Sequence, residues 1–219
     1  MFVGQLTRSG FQPSSSTTGD ALNRARAEFR ASRHLLFERF IDPALLAEWQ
    51  RRIDAAPFKP RVAKGEWGGK QPSVDLRVDD RAVWGGCIFA LNDAALFRVI
   101  QDLTGCEAIG SFFGSVYRIV AGMGHFHTWH NDLDGNRLIA LSVNLSREGY
   151  RGGVLQIAER DTKRVLADVA NTGYGDAVIF EISEALEHRV TEVQPGPDKT
   201  AFAGWFVRSP GRAAWLRGG

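Results

Sequence analysis

The second half of the chain is constrained most by a succession of short apolar segments separated by turn residues. Between Phe112 and Arg208 there are seven such segments: FFGSVYRIV, RLIALSVNLS, GVLQIA, RVLADVA, DAVIFEI, HRVTEV and KTAFAGWFV. Segments of this length, rich in β-branched and aromatic residues, are typical of β-sandwiches and β-barrels. No repeat of solenoid or propeller length accompanies them. The sequence therefore predicts an all-β core over residues 112–207.

The first half of the chain is predicted to be mainly helical. Residues 20–33 are rich in helix formers, and residues 34–40 fit a short strand. Asp42-Pro43 then supplies an N-cap and a first-turn proline for a second helix. A third helix is predicted over residues 92–103, with Gly105 as its stop signal. We expect these helices to pack on one face of the β core, which gives an α+β, mainly β fold.

Two segments of the first half lack a clear period. Residues 1–18 end in a polar run of proline, serine and threonine, and we predict that they are flexible. Residues 57–90 contain a glycine-rich stretch with Trp67, followed by a charged run that includes Arg77. This segment is either a lid over an active site or an irregular surface connection. Residues 20–105 would thus be helical support with a possible lid.

Size and composition favour a single soluble domain over residues 1–219. The chain is 44% hydrophobic and 24% charged, as is usual for globular proteins. A formal net charge of +2 without a basic block gives no sign of a nucleic-acid partner. The two cysteines, Cys87 and Cys106, indicate reduced thiols rather than a disulfide framework. Without a signal-peptide pattern or a bilayer-length apolar run, we expect a cytoplasmic protein with no membrane association.

Two of the predicted strands have one face suited to a ligand cavity. In residues 137–146 the odd-numbered positions are apolar, while the even-numbered positions are mostly small or polar and include Ser142 and Asn144. A dry core would not bury these two side chains without partners. In the last strand Lys199, Trp205 and two intervening alanines share one side. The gap between the cation and the aromatic ring suits a small anionic molecule.

Three residues form a candidate metal site. His130 and Asp132 would point to the same side of an extended strand, because side chains alternate along it. His188, on a distant predicted strand, would add a second imidazole to this face. Two imidazoles and one carboxylate leave coordination positions open, which is the arrangement expected of mononuclear non-haem Fe(II) oxygenases.

Taken together, these motifs resemble the Fe(II)/2-oxoglutarate-dependent oxygenases, and especially their prolyl-hydroxylase-like branch. The resemblance covers residues 112–207. Its parts occur in the family's order, namely the H-x-D triplet at His130 and Asp132, Arg137, Val143-Asn144-Leu145, Gly152-Gly153-Val154-Leu155, Gly175-Asp176 with the apolar run after it, His188-Arg189-Val190, and Lys199 six residues before Trp205. Each part is common, but the ordered set is specific.

The resemblance implies a double-stranded β-helix, or jelly roll, with Fe(II), 2-oxoglutarate and O2 as cofactors and ascorbate as a candidate stimulant. It assigns His130, Asp132 and His188 to catalysis and to the metal, and Lys199 to the distal carboxylate of 2-oxoglutarate. The remaining residues of the cosubstrate site would be Ser142, Asn144 and Trp205. The implied reaction is hydroxylation of a small molecule or of a peptide or protein side chain, with release of succinate and CO2. Candidate substrate contacts are Trp67, Arg77, His127 and Trp129.

The sequence departs from the family pattern at two points. Ser142 stands where relatives often have a tyrosine, and Ile119, Val120 and Ala121 fill a stretch where many have another. Tyr117 could replace that second tyrosine only with a shifted register. These departures concern the hydrogen bonds to the cosubstrate and leave the metal set intact.

Three other interpretations remain open from the sequence. His125 and His127, with Asp132 and a distal histidine, approach the pattern of a cupin-type metalloenzyme that does not use 2-oxoglutarate. His125, His127 and His130 could instead hold a structural zinc ion. Finally, the chain could be a non-catalytic jelly-roll binding module. An intact ligand set argues against this last possibility, because a buried carboxylate without its metal is destabilising.

Overall fold

The computed structural model describes residues 1–63, 73–134 and 136–208, which form thirteen β-strands, four α-helices and one 3-10 helix. The helices are η1 (Ser15–Thr17), α1 (Gly19–Ser32), α2 (Pro43–Ala55), α3 (Arg81–Leu91) and α4 (Ala94–Thr104). The strands are β1 (Gly4–Thr7), β2 (Gly10–Pro13), β3 (His34–Phe37), β4 (Phe58–Ala63), β5 (Ser73–Val78), β6 (Ile109–Ile119), β7 (His127–His130), β8 (Arg137–Asn144), β9 (Leu155–Glu159), β10 (Val165–Val169), β11 (Ala177–Glu181), β12 (Leu186–Val190) and β13 (Lys199–Arg208). All seven β segments predicted after residue 111 are present.

Two antiparallel sheets form the β core. The major sheet has seven strands in the order β3-β11-β8-β13-β6-β5-β4, and the minor sheet has four in the order β10-β9-β12-β7. A separate hairpin pairs β1 with β2. Residues from both sheets meet in one buried cluster, which includes Tyr117 and Ala201 of the major sheet and Ile157 and Val190 of the minor sheet. The predicted sandwich of antiparallel strands is therefore confirmed.

The helices cover the other face of the major sheet. The odd-numbered residues of β8, Ile139, Leu141 and Val143, lie in a second buried cluster together with the apolar sides of α1 to α4. The even-numbered residue Ala140 belongs to the cluster between the sheets. The predicted division of this strand into a helix-covered face and an inward face is confirmed. Within the described residues no single helix is long and apolar enough to cross a bilayer, while α3 and α4, bent by 64°, meet that test only as a pair.

Helix α2 begins where the sequence predicts it. The Asp42 side chain accepts hydrogen bonds from the backbone N–H of Ala44 at 3.0 Å and of Leu45 at 3.2 Å. Pro43, whose missing N–H is not needed in the first turn, occupies the first helical position. The capped helix then buries Leu46, Trp49 and other residues of one side against the major sheet.

The N-terminal residues are ordered, so the prediction that residues 1–18 are flexible is wrong. They form the β1–β2 hairpin and η1, and bury Val3, Leu6 and Phe11 in the helix-covered core. The backbone of Leu6 also donates to the carbonyl of Phe40 at 2.8 Å. Burial of these few apolar residues orders the segment, although the polar run that begins at Pro13 predicts flexibility.

Much of the segment over residues 57–90 is also regular. β4 and β5 form a hairpin that extends the major sheet beyond β6, and α3 follows directly with Asp80 as its N-cap. The sequence did not predict α3, because Gly85 and Gly86 weaken its helical signal. Residues 64–72, including Trp67, lie outside the described residues, so the lid remains a prediction.

The capping of α2 gives a first prediction. Replacing Asp42 with Ala should lower the free energy of unfolding by about 1 kcal/mol, because two backbone N–H groups lose their acceptor. Chemical denaturation monitored by circular dichroism measures this difference. The matched control is Thr18→Ala at the N-cap of α1, where the side chain makes no capping hydrogen bond. An equal loss in both variants would contradict the assignment.

Candidate active site

Three side chains converge between β7 and β12. The Cα register places His188 of β12 directly opposite His130 of β7, and their ring centroids are 4.2 Å apart. The Asp132 carboxylate lies 3.5 Å from Nε2 of His130 and 3.3 Å from Nε2 of His188. One ligand atom from each residue lies within 4.8 Å of the others. This is a separation that a single ion can bridge.

The backbone of Asp132 brings its side chain to this point in an unexpected way. β7 ends at His130, and Asp132 has a left-handed conformation with φ of 54°. Strand alternation, the basis of the sequence argument, therefore does not explain why the two side chains meet. A local turn does so, and aspartate is one of the few residues that adopt this conformation readily.

Neighbouring groups hold the ligand side chains in place. Trp205 donates its indole N–H to Oδ2 of Asp132 at 2.8 Å. Arg137 donates to the Asp132 carbonyl at 3.2 Å and lies 3.8 Å from the centre of the Trp205 ring. Nδ1 of His130 is 2.6 Å from the carbonyl of Thr128. A proton on that nitrogen leaves Nε2 of His130 as a lone-pair donor towards the carboxylate.

The electrostatics of the site suit a divalent cation. Burial, together with the nearby His188, lowers the pKa of His130 to about 4. Burial alone would raise the pKa of Asp132, but hydrogen bonds from His188 and Trp205 and the adjacent imidazoles hold it well below its ordinary value. At neutral pH the site thus presents an uncharged His130 imidazole and an ionised carboxylate, the forms that bind a metal.

A cavity of about 80 Å³ extends from these residues between the two sheets. Asp132 and His188 line one part of it, and the inward side of β13 lines another. That side consists of Lys199, Ala201, Ala203 and Trp205, all four of which the sequence predicted to share a cavity face.

Lys199 is a buried cation in the cavity wall. It is 6% exposed, donates to the carbonyl of Gly153 at 2.6 Å and lies 5.7 Å from the centre of the Tyr150 ring. Burial lowers its pKa to about 8. Among the described residues no carboxylate forms an ion pair with it. A buried cation without a counter-ion is unfavourable, and the carboxylate of a small ligand would supply one.

The other predicted cosubstrate residues differ in their surroundings. Ser142 lines the cavity beside Ala203, its partner across β8 and β13. Asn144 also lines it, but its amide donates to the carbonyls of Thr172 at 2.6 Å and Gly173 at 3.3 Å. Its carbonyl oxygen accepts from the backbone of Ser146, so the Asn144 side chain anchors the adjacent loop. The contact of Asn144 with cosubstrate remains a prediction.

Two tyrosines in the cavity wall were not among the predicted site residues. Tyr117 and Tyr150 both line the cavity, and burial raises the pKa of Tyr117 to about 12 and that of Tyr150 above its ordinary value. Tyr117 is paired with Ala201 across β6 and β13. The alternation of β6 could have predicted its inward orientation, since Ser115 and Tyr117 share the face opposite Val116.

The predicted substrate contacts are mostly engaged elsewhere. Arg77 forms an ion pair with Asp75 at 2.7 Å, and His127 hydrogen-bonds to the same carboxylate at 2.8 Å. Trp129 lies under the guanidinium of Arg189, whose neighbours His188 and Val190 face the cavity. Trp129 is therefore on the outer side of the minor sheet, and its contact with substrate remains a prediction.

The rival metal sets are not assembled. His125 accepts a hydrogen bond from the backbone of Val120 at 3.2 Å, and His127 is bound to Asp75. Within residues 1–63, 73–134 and 136–208, the group with metal-ligand spacing is His130, Asp132 and His188. The cupin-type set and the structural zinc site are therefore not supported by the geometry.

Comparisons with known proteins agree with this site. Residues 114–207 match the family model of the 2OG-Fe(II) oxygenase superfamily. The crystal structure of a 2OG-Fe(II) oxygenase family oxidoreductase from Burkholderia pseudomallei has a TM-score of 0.66 at 18% identity, covering 96% of this chain and 98% of that one. A Pseudomonas putida prolyl-4-hydroxylase gives 0.60 at 21% identity, covering 86% and 99% of the two chains. No curated protein matches the sequence.

A third structure is similar in fold and contains a peptide. It is a prolyl hydroxylase from Trichoplax adhaerens in complex with a hypoxia inducible factor oxygen degradation domain peptide fragment. Its TM-score is 0.61 at 12% identity, with 93% of this chain and 100% of that chain covered.

The fold and the site together define a class: a jelly roll whose minor sheet carries two histidines, with a carboxylate on the turn after β7. Residues 114–207 match the 2OG-Fe(II) oxygenase superfamily, the fold is similar to that of its prolyl-hydroxylase-like branch, and the chain is an Fe(II)- and 2-oxoglutarate-dependent dioxygenase. The predicted double-stranded β-helix and the predicted use of Fe(II), 2-oxoglutarate and O2 are confirmed. Stimulation by ascorbate remains a prediction.

The contact between Trp205 and Asp132 gives a second prediction. Trp205→Phe removes the N–H that holds Oδ2 and should weaken metal binding about 10- to 100-fold, as is usual when a partner of a metal ligand is lost. Titration with Mn(II), followed by electron paramagnetic resonance, measures the dissociation constant. Trp129→Phe, on the outer side of the minor sheet, is the matched control and should bind Mn(II) as the wild type does. Unchanged affinity in Trp205→Phe would contradict the role.

Proposed function

We propose that this dioxygenase hydroxylates a small molecule or a peptide or protein side chain, with Fe(II) bound by His130, Asp132 and His188. The observation that carries the proposal is a set of three ligand atoms within 4.8 Å of one another, two of whose residues, Asp132 and His188, line a cavity that Lys199 also lines. A metal site and a buried cation in the same cavity fit a dicarboxylate bound between them.

A metal held by these three ligands would have coordination positions left for a small ligand. Asp132 and His188 line the cavity, so a small ligand inside it can reach a metal held by them. Phe180 packs 4.7 Å from the His188 ring, and Val190 and Leu155 line the adjacent wall. These apolar groups limit water around the metal ligands and strengthen the electrostatic interactions there.

Lys199 is the proposed partner of the distal carboxylate of 2-oxoglutarate. Its ammonium group forms a point-charge contact, in contrast to the two parallel hydrogen bonds that an arginine would offer. Ser142 and Tyr117 place hydroxyl groups in the same cavity. The bound iron, 2-oxoglutarate and O2 supply the oxidation, and succinate and CO2 are released.

The substrate is proposed to approach beside Trp205. Phe113, which is 39% exposed, lies 5.2 Å from the Trp205 ring, and Arg137 stacks on both. An aromatic surface next to the metal ligands suits either a small molecule or an extended peptide, and the peptide bound to the Trichoplax enzyme supports the second class. A cytoplasmic location remains a proposal from the sequence.

The metal assignment is tested by substitution. Alanine at His130, Asp132 or His188 should abolish iron-dependent consumption of 2-oxoglutarate and formation of succinate, while circular dichroism shows an intact fold. His125→Ala is the matched control, because that histidine accepts only a hydrogen bond from Val120 N among the described residues. Loss of metal binding in His125→Ala with retention in His130→Ala would favour the cupin-type assignment instead.

Lys199 gives a prediction for both affinity and pH dependence. Lys199→Ala should raise the Michaelis constant for 2-oxoglutarate about 10- to 150-fold, corresponding to a charge-assisted contact of roughly 1.5–3 kcal/mol. Because burial lowers the pKa of Lys199 to about 8, the charged form is present below this pH and is lost above it. The wild-type Michaelis constant should therefore rise above pH 8.

Lys199→Arg is the control for the pH effect. Arginine keeps its charge throughout this range, so the rise above pH 8 should disappear in that variant. Steady-state assays from pH 6.5 to 9.5 would measure both constants. An identical pH profile in the wild type and in Lys199→Arg would show that Lys199 does not bind the cosubstrate through its charge.

A further inference from the structure

A buried polar cluster lies beside the cavity and takes no part in the metal set. It consists of Asp75 and Arg77 of β5, His127 of β7 and Tyr117 of β6. Asp75 is 2% exposed, and its Oδ2 accepts from Nε2 of His127 at 2.8 Å and from Nη2 of Arg77 at 2.7 Å. Its Oδ1 accepts from Nε of Arg77 at 3.1 Å. We refer to these four residues as the Asp75 cluster.

The charge of Asp75 is balanced by Arg77 within the cluster and by Arg61 of β4, 3.9 Å away. Burial alone would raise the pKa of Asp75, but the hydrogen bond from His127 and the charge of Arg77 keep it below its ordinary value. Burial lowers the pKa of His127, so its imidazole is neutral and donates Nε2–H to an ionised carboxylate. The hydrogen bonds among Asp75, Arg77 and His127 therefore fix the orientation of each side chain. Without these bonds, the polar groups would be buried with no partner, which is unfavourable.

Tyr117 is the member of the cluster that reaches the cavity. The Arg77 guanidinium lies 5.2 Å from the centre of its ring, and the His127 ring lies 5.1 Å from it. Tyr117 and Ser142 both line the cavity. The strand partner of Tyr117, Ala201, shares the inward face of β13 with Lys199. The position of the Tyr117 hydroxyl therefore depends on ring contacts made by Arg77 and His127.

The cluster also joins the β4–β5 hairpin to the strand that carries a metal ligand. Val74 of β5 and Phe126, the residue before β7, form an isolated backbone bridge with hydrogen bonds of 2.9 and 3.1 Å. The Asp75–His127 contact adds a side-chain link between the same strands, three residues before His130. Both links bind the hairpin to the wall of the cavity.

We propose that Asp75, His127 and Arg77 are positioning residues that hold Tyr117 so that its hydroxyl, with that of Ser142, contacts 2-oxoglutarate beside Lys199. The inference rests on the proposed function of the cavity. It assigns to the β5 strand a part in cosubstrate affinity that neither the metal ligands nor Lys199 provides.

The test is equilibrium binding of 2-oxoglutarate to the Mn(II)-loaded protein, measured by calorimetry. His127→Phe keeps a ring against Tyr117 but removes the donor to Asp75, and Asp75→Asn removes the charge. Each should raise the dissociation constant for 2-oxoglutarate about tenfold, the loss expected for a misplaced hydroxyl–carboxylate contact. Mn(II) affinity should remain within about twofold of the wild type. Asp79→Asn, at an exposed ion pair with Lys59 on the same hairpin, is the matched control.

A double-mutant cycle shows whether the cluster acts through Tyr117. In a Tyr117→Phe background the hydroxyl is absent, so His127→Phe should change the dissociation constant by less than about twofold. Multiplicative effects of the two substitutions would overturn the inference, as would unchanged 2-oxoglutarate affinity in both folded single variants. If His127→Phe does not fold, Arg77→Lys takes its place in the same cycle, since it keeps the charge but loses the two-point contact with Asp75.

The same binding measurements distinguish a failure of the positioning role from a failure of the proposed function. A wild-type protein that binds no 2-oxoglutarate in the presence of Mn(II) would refute the assigned function of the cavity. Wild-type binding that is insensitive to the Asp75 cluster would refute only the positioning role.

Discussion

The pairing of β7 with β12 is the interaction on which the rest of the site depends. It sets His188 opposite His130, and no other part of the described structure brings the two imidazoles together. The minor sheet can hold this register because β9 pairs with the other edge of β12, with His188 opposite Ile157. The major sheet then needs to supply only the opposite wall, which β13 and β8 do with small residues that leave room between the sheets.

Side-chain alternation explains how much of this site the sequence could predict. In β8 and β13 the pattern is local, so the placement of Ser142, Lys199 and Trp205 on an inward face follows from a period of two. The H-x-D triplet was also found from local spacing, although the reason given for its convergence was wrong. A turn with positive φ at Asp132 is not visible in a strand pattern.

Contacts between distant segments explain what the sequence could not give. Asp75 and His127 are 52 residues apart, and their contact depends on how the β4–β5 hairpin folds onto β7. In the sequence, Asp75 and Arg77 belong to a charged run that fits either a lid or an irregular surface connection. In the structure the sheet continues through β5, and the same charges are enclosed. The N-terminal hairpin is not predicted for a similar reason. Its apolar residues are buried only by contacts with the helix-covered core, which are not visible in the local sequence.

Asp132 stands at a backbone conformation that glycine adopts without strain and that most side chains avoid. The chain geometry therefore does not require a carboxylate there, and replacement by glycine would relax the backbone rather than strain it. Trp205 and Arg137, by contrast, are arranged around the carboxylate and would lose an acceptor. Two separate requirements therefore act on residue 132. The backbone turn would accept glycine, whereas the hydrogen bonds from Trp205 and Arg137 favour a carboxylate. In this fold, whether residue 132 supplies a third metal ligand therefore depends on the side chains around it and not on the conformation of the main chain.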